Sequence, residues 1–177
     1  EAAAQAFEQQ VYPRVTQAFG DLRLPPGERI GILHTRLRGA QAYVGTTDRY
    51  PPWVHPYSNQ RPFIYMSVSG LTVGGQRYMA TVAHELQHLI HTAADPTEVA
   101  WVNEGLSELA STVAGYPVAI APLLSGRGTV SLTRWPDASP AVGQHYAAAY
   151  SFFRYLTQHY GNPGDLVALL QEPADGA

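Results

Sequence analysis

The chain has 177 residues, of which 45% are hydrophobic and 14% charged, with 16 Gly, 14 Pro, 11 Tyr and a net charge of −3. That length allows one domain with its own core, and the charge leaves no electrostatic basis for a nucleic-acid partner. There is no cysteine, so disulfides and thiolate ligands are excluded and a metal would have to be held by imidazole and carboxylate oxygen.

No apolar run approaches the roughly 18 residues of a membrane span, and no internal repeat is present. Arginine supplies all the positive side-chain charge, since the chain has no lysine. Residues 1–171 read as a single catalytic domain and 172–177 as a linker-like tail. No signal peptide is visible, and the Glu1-Ala-Ala-Ala start looks trimmed.

Along the chain, Phe7, Val11, Val15 and Phe19 fall at helical spacing from about Ala2 to Phe19, with Pro13 expected to kink the helix. After a turn over Asp21–Gly27, three β-like runs follow: Arg29–His34, Gln41–Thr46 and Pro62–Ser69. The last two are separated by a Pro-rich loop, Tyr50–Gln60, which is long enough to suggest a functional role.

A helix over about Gln76–Thr92 carries the stripe Tyr78, Val82, Leu86 and Leu89, while His84, His88 and His91 are expected on another face. Asp95 as N-cap, Pro96 and Glu98 predict that the next helix starts as a capping box. Its stripe is Val99, Val102, Leu106, Leu109 and Val113, and Gly115 with Pro117 should end it. The stretch 116–142, with Gly126, Gly128, Pro136 and Pro140, reads as irregular. A helix over about Gly143–Tyr160 uses Tyr146, Tyr150, Phe153 and Leu156, and Asn162-Pro163 opens a short closing helix through Leu170. Strands first and helices afterwards predict an α+β fold.

The chemistry concentrates in His84-Glu85-Leu86-Gln87-His88. Four residues along an α-helix turn the chain about 40° past a full turn and raise it about 6 Å. Both imidazoles therefore leave one face at a spacing that suits two ligands of a tetrahedral zinc ion, and Glu85 is placed to act as general base on a metal-bound water. A catalytic zinc takes three protein ligands and keeps a fourth position for water. Glu104, in Trp101-Val102-Asn103-Glu104-Gly105-Leu106-Ser107-Glu108, is the candidate third ligand. Glu108, one turn on, is the candidate acceptor for the free imidazole N–H of a ligand histidine, His84 before His88. Gly105 in a helix interior costs about 1 kcal/mol against Ala, which close approach to the metal helix would explain.

His-Glu-x-x-His followed by Asn-Glu-Gly-Leu-Ser-Glu resembles the gluzincin metallopeptidases. Weaker matches run over nearly the whole chain: Tyr12-Pro13 to Phe19-Gly20, Tyr57-Ser58-Asn59, Phe63-Ile64-Tyr65-Met66 and Ser131-Leu132-Thr133-Arg134-Trp135. Together they most resemble the hyicolysin-like branch of secreted bacterial peptidases. Two features depart from the pattern. The interval between His88 and Glu104 is shorter than in the thermolysin-like branch, and His91 stands where a polar amide is expected. The resemblance implies a zincin-like fold with a small N-terminal sheet, an active-site helix and a helical C-terminal half. It also implies one catalytic zinc ion, a peptide or protein substrate and a secreted, extracellular setting.

An oxyanion developing at the substrate carbonyl needs a donor besides the metal. Tyr146 is the preferred residue, ahead of His145 and of Tyr150, which falls on the apolar stripe. His91 lies two turns, about 10.5 Å, from His84, too far to share its ion, and is expected behind the ligands or at the surface. His34, His55 and His159 are expected to be structural or solvated. The Tyr50–Gln60 loop and 116–142 are candidate cleft walls, and Gln41–Thr46 is the candidate edge strand for a substrate backbone. The expected function is zinc-dependent endopeptidase. The alternatives are a catalytically inactive zincin-like binding module and a zinc hydrolase of a non-peptide amide.

Overall fold

The computed structural model describes residues 1–118, 120, 123, 130–136, 142–162, 164–172 and 174. Gly126, Gly128, Pro140 and Pro163, and most of the 172–177 tail, lie outside the described residues. The N-terminal helix comprises α1 (Ala2–Ala6), a π-helical turn (Phe7–Val11) and α2 (Tyr12–Phe19). It runs through Pro13 without a break. Proline has no N–H to give to the preceding turn, and the widened turn just ahead of it accommodates that loss. Val11, Val15 and Phe19 point into the core, and Gly20, at φ +97°, ends the helix.

Three strands follow: β1 (Gly31–Thr35), β2 (Ala42–Val44) and β3 (Phe63–Ser67). β3 is central, pairing parallel with β1 and antiparallel with β2. Its alternation buries Ile64 and Met66. Among the described residues β2 pairs on one side only, as an edge strand does. Among the described residues, the α-helices after the sheet are α3 (Gln76–Ala94), α4 (Ala100–Val113), α5 (Val142–His159) and α6 (Asp165–Leu170). The fold is α+β, with a small mixed sheet followed by a helical half.

The apolar stripes of α3 and α4 form one buried cluster with α2, β3, Tyr150, Phe153 and Leu170. α4 ends as its sequence predicts. Gly115, at φ +89°, donates to Thr112 O, and Tyr116 N reaches back to Ser111 O, the two bonds of a Schellman cap. Gln10 and Arg14 of the N-terminal helix also donate to Ala114 O, at 3.1 and 2.9 Å.

Two expectations about α4 are corrected. It starts at Ala100, with Val99 at the N-cap, rather than at Asp95. The Asp95 N–H closes the last turn of α3 on His91 O at 2.7 Å, so it is not available to Glu98 for a capping box. The Asp95 carboxylate instead accepts from Thr97 N and Oγ1, which holds the α3–α4 turn. Gly105 faces α5 and not the metal helix. A Cβ there would lie 2.7 Å from the Phe153 ring and 2.9 Å from Ala149 Cβ. Glycine thus lets α5 lie close against α4, and it is α5 that carries Tyr146.

Candidate metal centre

α3 and α4 lie side by side, locked by the Ser111 hydroxyl donating to Ala80 O at 2.9 Å. This pairing brings residues fifteen to twenty positions apart into one site. His84 and His88, one turn apart on α3, have Nε2 atoms 3.0 Å apart. Glu104 Oε2, from α4, lies 3.3 Å from His84 Nε2 and 3.4 Å from His88 Nε2. These three atoms form the vertices of a small triangle at the floor of a cleft of about 750 Å³, and His84, His88 and Glu104 could hold a metal ion. Glu104 Oε2 is buried yet makes no well-formed hydrogen bond. Such a group is costly unless an ion or donor completes it.

The electrostatics point the same way. Burial opposes protonation of His84, but hydrogen bonding to Glu104 and the charges of Glu85, Glu108 and Glu104 outweigh it and push the imidazole up to about 9. Burial likewise opposes ionisation of Glu104, yet the two imidazoles hold its carboxyl well below the usual carboxylate range. Imidazole and carboxylate thus stabilise each other's charge here, and a divalent cation is another way to satisfy the same carboxylate.

Glu85 lines the same cleft and is almost fully buried, and its Oε2 has no hydrogen-bond partner among the described residues. Burial raises its pKa, against the pull of His84 and His88. A carboxylate whose pKa is raised holds a proton more readily than a free one, which suits a group that must take and return one.

The outer support is divided between the two imidazoles. On His84, Nδ1 lies 3.6 Å from Glu108 Oε1, the pairing expected from the sequence, at a length beyond that of a formed hydrogen bond. On His88, Nδ1 faces Asn103 Oδ1 at 2.6 Å and Ser107 Oγ at 3.0 Å. An N–H donated to these oxygens leaves Nε2 as the free lone pair aimed at the triangle, which fixes the tautomer a metal requires. Neither Asn103 nor Ser107 was assigned a role from sequence. The available signal was their i,i+4 spacing beside Glu104 and Glu108, which marks a second functional face on α4.

Of the two places expected for His91, behind the ligands or at the surface, the structure gives the first. The side chain is fully buried, and burial pushes its imidazole down to about 4. Gln87, also fully buried, links inward, since its Oε1 accepts from the Ser107 hydroxyl and its Nε2 lies 3.4 Å from His91 Nδ1. His91 therefore sits behind the His88 support and holds no metal. The other histidines stand apart from the centre. His34 bonds the Tyr78 hydroxyl at 2.9 Å, His55 packs edge-on to Tyr57, and His159 is exposed beside Tyr155.

The three candidate donors for an oxyanion separate clearly. Tyr146 lines the cleft together with Glu104. Burial, then the Glu104 charge, raises its pKa, so the phenol keeps its proton. Trp135 packs against its ring at 5.1 Å between centroids. Tyr150 is buried and bonds Thr112 Oγ1 at 2.9 Å, facing away from the cleft. His145 also packs against Trp135 and is not among the residues lining the cleft.

β2 and the residues around it form the opposite wall of the cleft. Among the described residues, no helix is long and apolar enough to cross a membrane. The chain matches no protein-family model, and no curated protein matches it significantly.

Proposed function

We propose that the chain is a zinc-dependent endopeptidase of the gluzincin kind, built on a zincin-like fold. The observation that carries this reading is the His84–His88–Glu104 triangle with edges of 3.0, 3.3 and 3.4 Å. Zinc bonds of about 2.0–2.1 Å in tetrahedral geometry separate neighbouring ligand atoms by about 3.4 Å. Imidazole and carboxylate donors with no thiolate suit a catalytic zinc, and because all three side chains line the cleft, an ion held by them would have room for a water. A purely structural site would have no need of the unpartnered Glu85 carboxylate beside the ligands.

Zinc, when bound, would lower the pKa of a water molecule and polarise the scissile carbonyl. The chain's own residues supply the rest. Glu85 takes a proton as the water oxygen bonds to the carbonyl carbon. It then delivers that proton to the amide nitrogen as the C–N bond breaks. Tyr146, kept protonated, donates to the oxyanion that forms between those steps. Asn103, Ser107 and Glu108 hold the two imidazoles in the tautomer and orientation that bind metal. The free edge of β2 offers backbone groups that an extended peptide can pair with.

The test is zinc content and cleavage of a generic unfolded protein by the wild type and by Glu85→Gln. About one zinc per chain in both, with cleavage by the wild type alone, is the expected result. A zinc-loaded wild type that cleaves no peptide in a broad library would give way to the inactive binding module. Cleavage confined to non-peptide amides would give way to the other hydrolase.

A further inference from the structure

The cleft does not stop at the metal centre. One face of α3, including Arg77, Thr81, His84, His88 and Thr92, runs along its floor. Beyond Thr92 it continues into a second cavity of about 520 Å³, which shares Val44, Thr46 and Thr92 with the first. Both walls advance together, because α3 goes from Arg77 to Ala93 while the opposite wall goes from Gly39 through β2 to Tyr50. At 1.5 Å per residue, Arg77 to Ala93 spans about 24 Å, the length of about seven residues of extended peptide.

The second cavity differs in character from the first. Val44, Leu89, Ala93 and Pro96 give it apolar walls, and Arg49 is the charged side chain lining it. Every carboxylate lining the first cavity (Glu85, Glu104 and Glu108) belongs to the metal centre. Arg49 has no carboxylate partner among the described residues.

The turn that carries Arg49 is rigidly built. The neighbouring Asp48 carboxylate is buried and accepts from Tyr65 Oη at 2.7 Å and Asn59 Nδ2 at 2.8 Å. Its backbone carbonyl accepts from Arg61 N and Ser58 Oγ. Gly45 leaves the room that this carboxylate occupies, since a Cβ there would collide with it. Arg49 thus projects from a fixed base at the mouth of an apolar slot, an arrangement suited to a side chain with a hydrocarbon stem and an acidic end.

We propose that this cavity is a specificity subsite of the same cleft, in which Arg49 recognises a Glu or Asp side chain of the bound peptide. The proposal rests on the reading of the cleft as a peptide site. Leu89–Ala93 lie roughly 5–10 Å along α3 from the midpoint between His84 and His88, which is about two or three extended residues. Antiparallel strand pairs outnumber parallel ones two- to three-fold. A peptide added that way to β2 runs opposite to Ala42→Val44, so its residues before the scissile bond lie toward Arg49.

The test has a cleavage arm and a binding arm. The first profiles a random peptide library with zinc-loaded wild type, Arg49→Gln and Arg49→Glu. Acidic residues should be enriched two or three positions before the cut by the wild type, unselected by Arg49→Gln and replaced by Lys or Arg with Arg49→Glu. The second measures affinity of labelled eight-residue peptides, differing only as Glu or Gln at that position, for zinc-loaded Glu85→Gln protein with and without Arg49→Gln. A three- to tenfold preference for the Glu peptide that vanishes with Arg49→Gln supports the subsite. If that preference is found while the wild type cleaves nothing, the peptidase reading fails and the subsite stands. Equal affinities, or a preference that survives Arg49→Gln, overturns the subsite even if the enzyme cleaves peptides well.

Discussion

The two walls of the cleft are built on different principles. The helical wall, α3 with α4, sets ligands by periodicity: His84 to His88 and Glu104 to Glu108 are each one turn apart, and pairing two helices closes the triangle. The opposite wall, β2 and the turn through Arg49, has little regular structure. It holds its shape through one buried carboxylate, Asp48, and its partners Tyr65 and Asn59. The first wall carries reactive groups, and the second presents an edge strand and a pocket. On the proposed function, chemistry and selection fall to separable parts of the chain, and mutations can test that separation.

The largest effect is expected on the helical wall. Glu85→Gln should lower kcat by about 10²–10⁴-fold, the usual contribution of a general base, with zinc content unchanged by metal analysis. Next comes a pH effect at the back of that wall. Burial lowers the His91 pKa from 6.5 to about 4, so its neutral form contributes stability in full above pH 6.5. That contribution falls as pH drops from 6.5 toward 4, because the unfolded chain takes up the proton first. It amounts to roughly 3 kcal/mol at 1.36 kcal/mol per pKa unit. Urea unfolding of metal-free protein at pH 7 and pH 4.5 should show a smaller loss on acidification for His91→Leu than for wild type.

Asn103→Ala should weaken zinc binding by about 10–100-fold, read by competition with a chelator. No change would mean that Ser107 alone orients His88. The smallest effect belongs to the strand wall. Asp48→Asn replaces one acceptor oxygen with a donor facing Tyr65 and Asn59, and should cost about 1–3 kcal/mol. It should raise KM for extended peptides and leave zinc affinity within twofold. A loss of zinc affinity in Asp48→Asn would break the comparison, since the two walls would then not be independent.

How much of this was legible beforehand followed the same division. The apolar stripe of α3 and the helix stop at Gly115 were readable because each depends on neighbours within a turn or two. His84 and His88 were readable as a pair because helical spacing puts them on one face of α3, whereas the meeting of Glu104 with that pair depends on how α4 packs against α3. Gly105 was seen as a sign of close packing, but its partner was misassigned, because the glycine records only that something is near. The start of α4 was misplaced because competition for a single N–H, on Asp95, depended on where α3 would end. For His91 the sequence leaves a place behind the ligands and a place at the surface both open, because periodicity does not show that α3 is covered on more sides than its apolar stripe indicates.

The sequence by itself determined the donor set, the helical register of the ligands and the α+β order of elements. These follow from composition and from periods of two and 3.6 residues. Only the tertiary structure decided which helix Gly105 meets, that Tyr146 and not Tyr150 faces the ligands, that Asn103 and Ser107 hold His88, and that Asp48 anchors the turn carrying Arg49. Each of these is set by how separate elements pack, and local spacing carries no information about the distance between two faces until something brings them together.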